Sequence, residues 1–204
     1  LREMIANKNQ QYNYLLLQRT PDGEVLDTAY TFEVAKVINN SFRGFKNHLT
    51  INKGSRQGIE PGMGVISGNG IVGRVKTVTR NYATVISLLH SEMIVSSVLA
   101  ESGTFCSTQW DGKDARYANL NYVPRHIQVK KGERVVTSGY NALYPADILI
   151  GTVAEVNLED NATFYDIKIE LSTDFARLDF VYVVKNYNQQ ELATLDSLST
   201  QENK

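Results

Sequence analysis

The chain has 204 residues, 42% of them hydrophobic and 21% charged, enough to bury one large core or two small ones, which sets aside a disordered or collagen-like polymer. Its 21 Lys and Arg nearly balance 22 Asp and Glu, for a formal net charge of −1; no field is available to hold a nucleic-acid backbone, so nucleic acid is not an expected partner. One cysteine, Cys106, permits neither an internal disulfide nor a cysteine-cluster metal site.

Residues 1–20 are expected to form a coiled-coil-type helix. Leu1, Ile5, Lys8, Tyr12 and Leu15 recur at alternating steps of four and three, which keeps one seam facing a partner. Pro21, Asp22 and Gly23 end it. So short a helix with Lys8 in its seam is marginal alone, and Leu1, Ile5, Tyr12 and Leu15 are read as a dimerisation stripe. No run reaches the roughly 18 to 20 apolar residues that cross a bilayer, and the chain opens on Leu1 rather than Met. The expectation is a piece trimmed from a longer protein whose membrane anchor is missing.

From residue 32 the texture turns to short β-branched runs punctuated by glycine. Strands are expected over 34–38, 49–51, 71–79, 84–89 and 94–99, then 119–123, 134–137, 148–156, 164–171 and 180–184. The segment from Tyr165 to Leu171 alternates strictly, as a sheet with one wet and one buried face requires. Beyond residue 185 the chain is rich in Asn, Gln, Ser and Thr and is expected to be a disordered tail over 186–204.

An internal repeat decides the architecture. Gly62-Met-Gly-Val-Ile-Ser67 matches Gly132-Glu-Arg-Val-Val-Thr137, Ile71-Val-Gly-Arg-Val75 matches Leu149-Ile-Gly-Thr-Val153, and Ala83-Thr-Val-Ile-Ser-Leu-Leu89 answers Asp166-Ile-Lys-Ile-Glu-Leu171. Gly73 and Gly151 thus fall inside β-branched strands, where glycine weakens pairing unless the strand bends or another backbone comes close. Bent strands curl a small sheet into a barrel. The expected fold is mainly β: the helix, then two small β-barrel domains related by duplication, over 30–100 and 101–185. The sequence leaves open whether the final strand closes the second barrel or returns to the first.

Three patterns imitate chemistry. Gly68-Asn-Gly-Ile-Val-Gly73 satisfies G-x-G-x-x-G, but the dinucleotide motif must open a helix, and the residues that follow alternate as a strand. Asn69-Gly70 is simpler as a tight hairpin turn. His48, Asp111 or Asp114, and Ser138 reproduce the chain order of a chymotrypsin-like two-barrel serine hydrolase, but Ser138 sits in Val136-Thr-Ser-Gly-Tyr140 and not in that family's Gly-Asp-Ser-Gly-Gly loop, which supplies the oxyanion amides. His48, His90 and His126 lack a second ligand type at metal-binding spacing. No catalytic, cofactor or metal residue is therefore assigned, Cys106 is read as a buried apolar group, and Gly70, Gly73, Gly139 and Gly151 are read as structural turn and strand glycines. The aromatics Phe42, Phe45, Tyr82, Phe105, Tyr117, Tyr122, Tyr140 and Tyr144 are candidates for partner contact.

Two long segments carry a resemblance. Leu49-Thr-Ile-Asn-Lys-Gly54-Ser-Arg-Gln-Gly58-Ile-Glu-Pro-Gly62-Met-Gly-Val-Ile66, with Gly70-Ile-Val-Gly-Arg-Val75, is similar to the first signature of the rod shape-determining MreC family. Gly132-Glu-Arg-Val-Val-Thr-Ser-Gly139, with Tyr144-Pro145 and Ile148-Leu-Ile-Gly-Thr-Val153, is similar to the second. The chain departs at Ala146-Asp147, where that family often has glycine. The resemblance implies a single membrane-spanning helix, a coiled coil and two β-barrels on the periplasmic face of the inner membrane. It implies a non-enzymatic, dimeric or filament-forming scaffold of cell-wall elongation. Its partners would be a class B penicillin-binding transpeptidase, the membrane protein MreD and an MreB-linked complex, with no cofactor. A peptidoglycan-binding module is the alternative to this scaffold outside the hydrolases.

Overall fold

The computed structural model describes residues 30–140 and 143–186. The expected helix over 1–20, with Leu1, Ile5, Tyr12 and Leu15, and the tail from residue 187 lie outside the described residues. Within them, twelve strands run in chain order. They are β1 (Tyr30–Asn40), β2 (Lys46–Ile51), β3 (Gly64–Ile66), β4 (Ile71–Val78), β5 (Ala83–His90) and β6 (Ile94–Leu99). Then follow β7 (Phe105–Gln109), β8 (Tyr117–Asn121), β9 (Arg134–Thr137), β10 (Leu149–Asn157), β11 (Asp166–Leu171) and β12 (Phe180–Asn186).

The strands close two six-stranded barrels, in the orders β1-β12-β3-β4-β5-β2 and β10-β11-β8-β7-β6-β9. The last strand returns to the first barrel, where it runs antiparallel to β1 and β3. The second barrel, β6 to β11, is therefore inserted into the first. Circling each barrel from its Gly-bearing strand gives β4-β5-β2-β1-β12-β3 and β10-β11-β8-β7-β6-β9, so β12 occupies in one the place β6 holds in the other. One barrel is a circular permutation of its neighbour.

The repeat seen in sequence is a repeat of hydrogen bonds. Gly62 N–H donates to Val75 O and Gly132 N–H to Val153 O, both at 2.8 Å, while Val75 N–H returns to Met63 O and Val153 N–H to Glu133 O. Gly73 faces Ser87 across the β4/β5 ladder and Gly151 faces Leu171 across β10/β11. A Cβ on Gly73 would lie 1.9 Å from Ile86 O, and one on Gly151 2.2 Å from Glu170 O. Close backbone approach, not turn geometry, explains both glycines. At Asp147, the departure from the family pattern, φ is +66°, a left-handed conformation that aspartate tolerates.

Two apolar clusters hold the barrels, and one of them spans both. Alternate residues of the first barrel point inward, among them Val65, Val72, Val75, Val85, Val181 and Val183. Their neighbours Ile66, Ile71, Leu88, Leu89, Tyr182 and Val184 point out and join the interior of the second barrel in one continuous apolar cluster. Strands β3 and β12 are thus buried on both faces, which accounts for their unbroken apolar runs. Tyr144 bolts the junction. Its ring lies against Gly64, where a Cβ would come within 2.7 Å of it, and its hydroxyl donates to Gly73 O at 2.5 Å. Thr173 Oγ1 donates to Ile71 O at 2.9 Å and meets Ser67 Oγ at 3.3 Å, pinning the hairpin at Gly70 to the second barrel. Gly70 itself leaves no room for a side chain, since a Cβ would sit 2.2 Å from Leu149 O.

Candidate functional site

The serine-hydrolase constellation does not assemble. His48 Nδ1 is 2.9 Å from Lys46 O and its Nε2 3.3 Å from Lys76 Nζ. Ser138 Oγ donates to Ser96 Oγ at 2.8 Å. Asp114 takes two hydrogen bonds from the Arg116 side chain, which holds its carboxyl down at about 2, and Asp111 accepts from Lys113 N–H. Each candidate is engaged with its own neighbours and not with the others. The G-x-G-x-x-G segment is a hairpin: Ser67 N–H donates to Gly70 O at 2.7 Å, and strand β4 follows directly. Cys106 is buried, and desolvation pushes its thiol up to about 12, so it stays protonated and inert.

The histidines form a small electrostatic device. His90 is buried at the end of β5, edge-on to His48 with ring centroids 5.2 Å apart, and its Nδ1 accepts from Glu92 N–H at 3.1 Å. Burial first, and then the charge of His48, lowers its pKa below the ordinary 6.5; Lys46 and Lys76 push the same way and Glu92 opposes them. The folded state therefore binds fewer protons than the unfolded one. The stabilisation is complete above pH 6.5 and is lost as pH falls through that value toward the lowered one. Urea midpoints at neutral pH and near pH 5 should differ more for the wild-type chain than for His90→Gln; equal pH slopes would remove His90 from the account.

The predicted contact aromatics sort by exposure. Phe105 (57% exposed) and Tyr140 (62%) meet edge to face with centroids 5.2 Å apart. Tyr122 (66%), held at φ +67°, meets Phe164 in the same way at 5.9 Å. Tyr82 is exposed in the β4–β5 turn, and Phe45, also exposed, covers Gly112, where a Cβ would come within 2.8 Å of its ring. Phe42 is half-buried against the shared core, and half-buried Tyr117 lies under Arg116 and Lys168. Tyr144 is the correction: only 4% exposed, it joins the barrels and is closed to a partner. Gly139, at φ +74°, turns beside Ala146 after β9. Sequence reading missed Phe164, whose place opposite Pro124 is set by an isolated bridge, and Ile94, exposed at the start of β6.

Beside Phe105 and Tyr140 a cleft of about 250 Å³ opens between the barrels, lined by Arg74 of the first and by Ile94, Ser96, Ser138 and Tyr140 of the second, with Tyr144 in its wall. Among the described residues no group of three His, Cys, Asp or Glu is placed to hold a metal ion, and no helix is long and apolar enough to cross a membrane.

Known proteins share this architecture. The family profile described as "Rod shape-determining protein MreC, barrel core" matches residues 37–185, most of both barrels. The chain belongs to the MreC family. It is thereby a member of a cell shape-determining family. It is 30% identical to the MreC of Listeria monocytogenes over 81% of its own length and 57% of that protein's, and it spans about half the length of the curated MreC relatives it matches. The crystal structure of MreC from Pseudomonas aeruginosa superimposes with a TM-score of 0.70 at 23% identity, covering 75% of this chain and 98% of that one. MreC from Helicobacter pylori, solved in complex with the penicillin-binding protein PBP2, superimposes with a TM-score of 0.60 at 15% identity, covering 78% of this chain and 99% of that one.

Proposed function

We propose that the chain is a non-enzymatic scaffold of the cell-wall elongation machinery, held on the periplasmic face of the inner membrane by an anchor outside this sequence, and that it binds a class B penicillin-binding transpeptidase. The observation that carries the reading is the fusion of two barrels through a common apolar cluster, with exposed aromatic pairs on the resulting body. Binding gains from presenting apolar rings on a backbone that loses little freedom on association. The complex of the Helicobacter pylori relative with PBP2 supports the choice of partner. The separate engagement of His48, Asp114 and Ser138 supports the absence of hydrolysis. Pairing through residues 1–20 would give a homodimer, and contacts to MreD and an MreB-linked complex belong to the same proposal.

Capture of the transpeptidase from the same bacterium by the full chain tests it, with purified cell wall as the competing bait. The double variant Phe105→Ala, Tyr140→Ala should bind about tenfold or more weakly, as expected for paired aromatic anchors. Retention by cell wall without capture of the transpeptidase would favour the peptidoglycan-binding alternative. Light scattering reads the dimer: Ile5 and Leu15 replaced by polar residues should halve the mass, and an unchanged mass would place self-association elsewhere.

A further inference from the structure

We propose that the cleft between the barrels receives the carboxylate of an acidic side chain, presented on an extended segment of a protein partner. The cleft holds one cationic side chain, Arg74, and a row of hydroxyls. Arg74 is exposed on β4, and among the described residues its guanidinium makes no ion pair or hydrogen bond, so all five of its side-chain N–H donors face solvent or a ligand. Across from it runs a relay: Tyr140 N–H donates to Ser138 Oγ at 3.2 Å, and Ser138 O–H donates to Ser96 Oγ at 2.8 Å. Ser96 Oγ accepts in this relay, and among the described residues its own O–H has no acceptor, so it remains to be given to a ligand. Among the described residues no Asp or Glu lines the cleft.

A guanidinium and a spare hydroxyl converging on one space favour an anion with planar oxygens, because charge-assisted hydrogen bonds are the strong ones. A neutral sugar would leave the Arg74 charge without a counter-ion. The volume of about 250 Å³ suits one side chain and part of its neighbour. Exposed Ile94 and Tyr140 on the rim, with Phe105 beside Tyr140, offer an apolar seat for the flanking residue. A free ion would leave that seat empty. The two walls come from different barrels, so the site exists only while Tyr144 holds them together.

The choice of a protein as the source rests on the scaffold reading; the carboxylate chemistry does not. The test titrates the full chain with acetyl-Leu-Glu-Leu-amide, acetyl-Leu-Gln-Leu-amide and muramyl dipeptide, following the amide signals of Gly62, Ser138 and Gly139 and the Arg74 side-chain N–H by nuclear magnetic resonance. The Glu peptide should give saturable shifts at these groups and bind about tenfold more tightly than the Gln peptide. Arg74→Gln should erase the difference, and Ser96→Ala should reduce it. Equal binding of the two peptides, or shifts away from the cleft, overturns the proposal, and tighter binding of muramyl dipeptide at the same signals overturns the protein source. A chain that discriminates Glu from Gln yet captures no transpeptidase would sink the scaffold reading alone; capture without discrimination would sink the cleft alone.

Discussion

Tyr144→Ala is expected to destabilise the chain by about 3–5 kcal/mol, the range for removing a buried aromatic ring. The ring is 4% exposed and wedged against Gly64, and its hydroxyl is bonded to Gly73 O, so the substitution empties the junction at its narrowest point. Tyr144→Phe keeps the ring and loses only the hydrogen bond, which should cost about 1 kcal/mol. Urea denaturation reads both. If alanine cost no more than phenylalanine, the ring would not be what fastens the barrels.

Gly73→Ala and Gly151→Ala should each cost about 3 kcal/mol or more, at or beyond the usual range for overpacking. In both cases the obstacle is a backbone carbonyl of the paired strand, at 1.9 Å and 2.2 Å from the added Cβ, and not a side chain that could swing aside. The control is Gly44→Ala, whose nearest neighbour is the Asn47 side chain at 3.5 Å and which should change stability by roughly 0.5 kcal/mol or less. Midpoints from thermal or urea unfolding decide it. A tolerated alanine at Gly73 would mean the ladder can widen there, and the close approach would not explain the glycine.

The barrels were legible in the sequence because burial imposed a repeated pattern. The matching segments from Gly62 to Ser67 and from Gly132 to Thr137 pass through β3 and β9, and the matched glycines inside β4 and β10 mark the same place in each module. Less visible were β3 as a strand of only three residues and β7, whose buried face is Cys106 and Thr108. Thr108 is acceptable there because its hydroxyl pairs with Ser97 at 2.8 Å, a partner that composition cannot reveal. The placement of β12 was undetermined, because an apolar run buried on both faces carries no alternation to say which sheet it joins.

The interaction surface was legible only as a list of aromatic residues. An aromatic in sequence does not declare which way it faces, and Tyr144, in the β9–β10 connection, and Phe105, on β7, read alike until the fold is known. Tyr144 turns inward between the barrels while Phe105 turns out from the start of β7. Arg74 drew no notice because an arginine in a strand of otherwise alternating pattern is expected to be solvated. Only the opposing wall from the other barrel gives it a function.

The return of β12 has a consequence for synthesis. Strands β1 to β5 leave the ribosome first, but β1 and β3 find their shared neighbour only in the final described strand, after the whole inserted barrel has emerged. Until then the early half is an open sheet with two unsatisfied edges, the condition that invites premature association. The intervening barrel is contiguous and can close meanwhile, so the order of completion is inner unit first and outer unit last, and a nascent chain cut short before Phe180 would carry the finished part on an unfinished one.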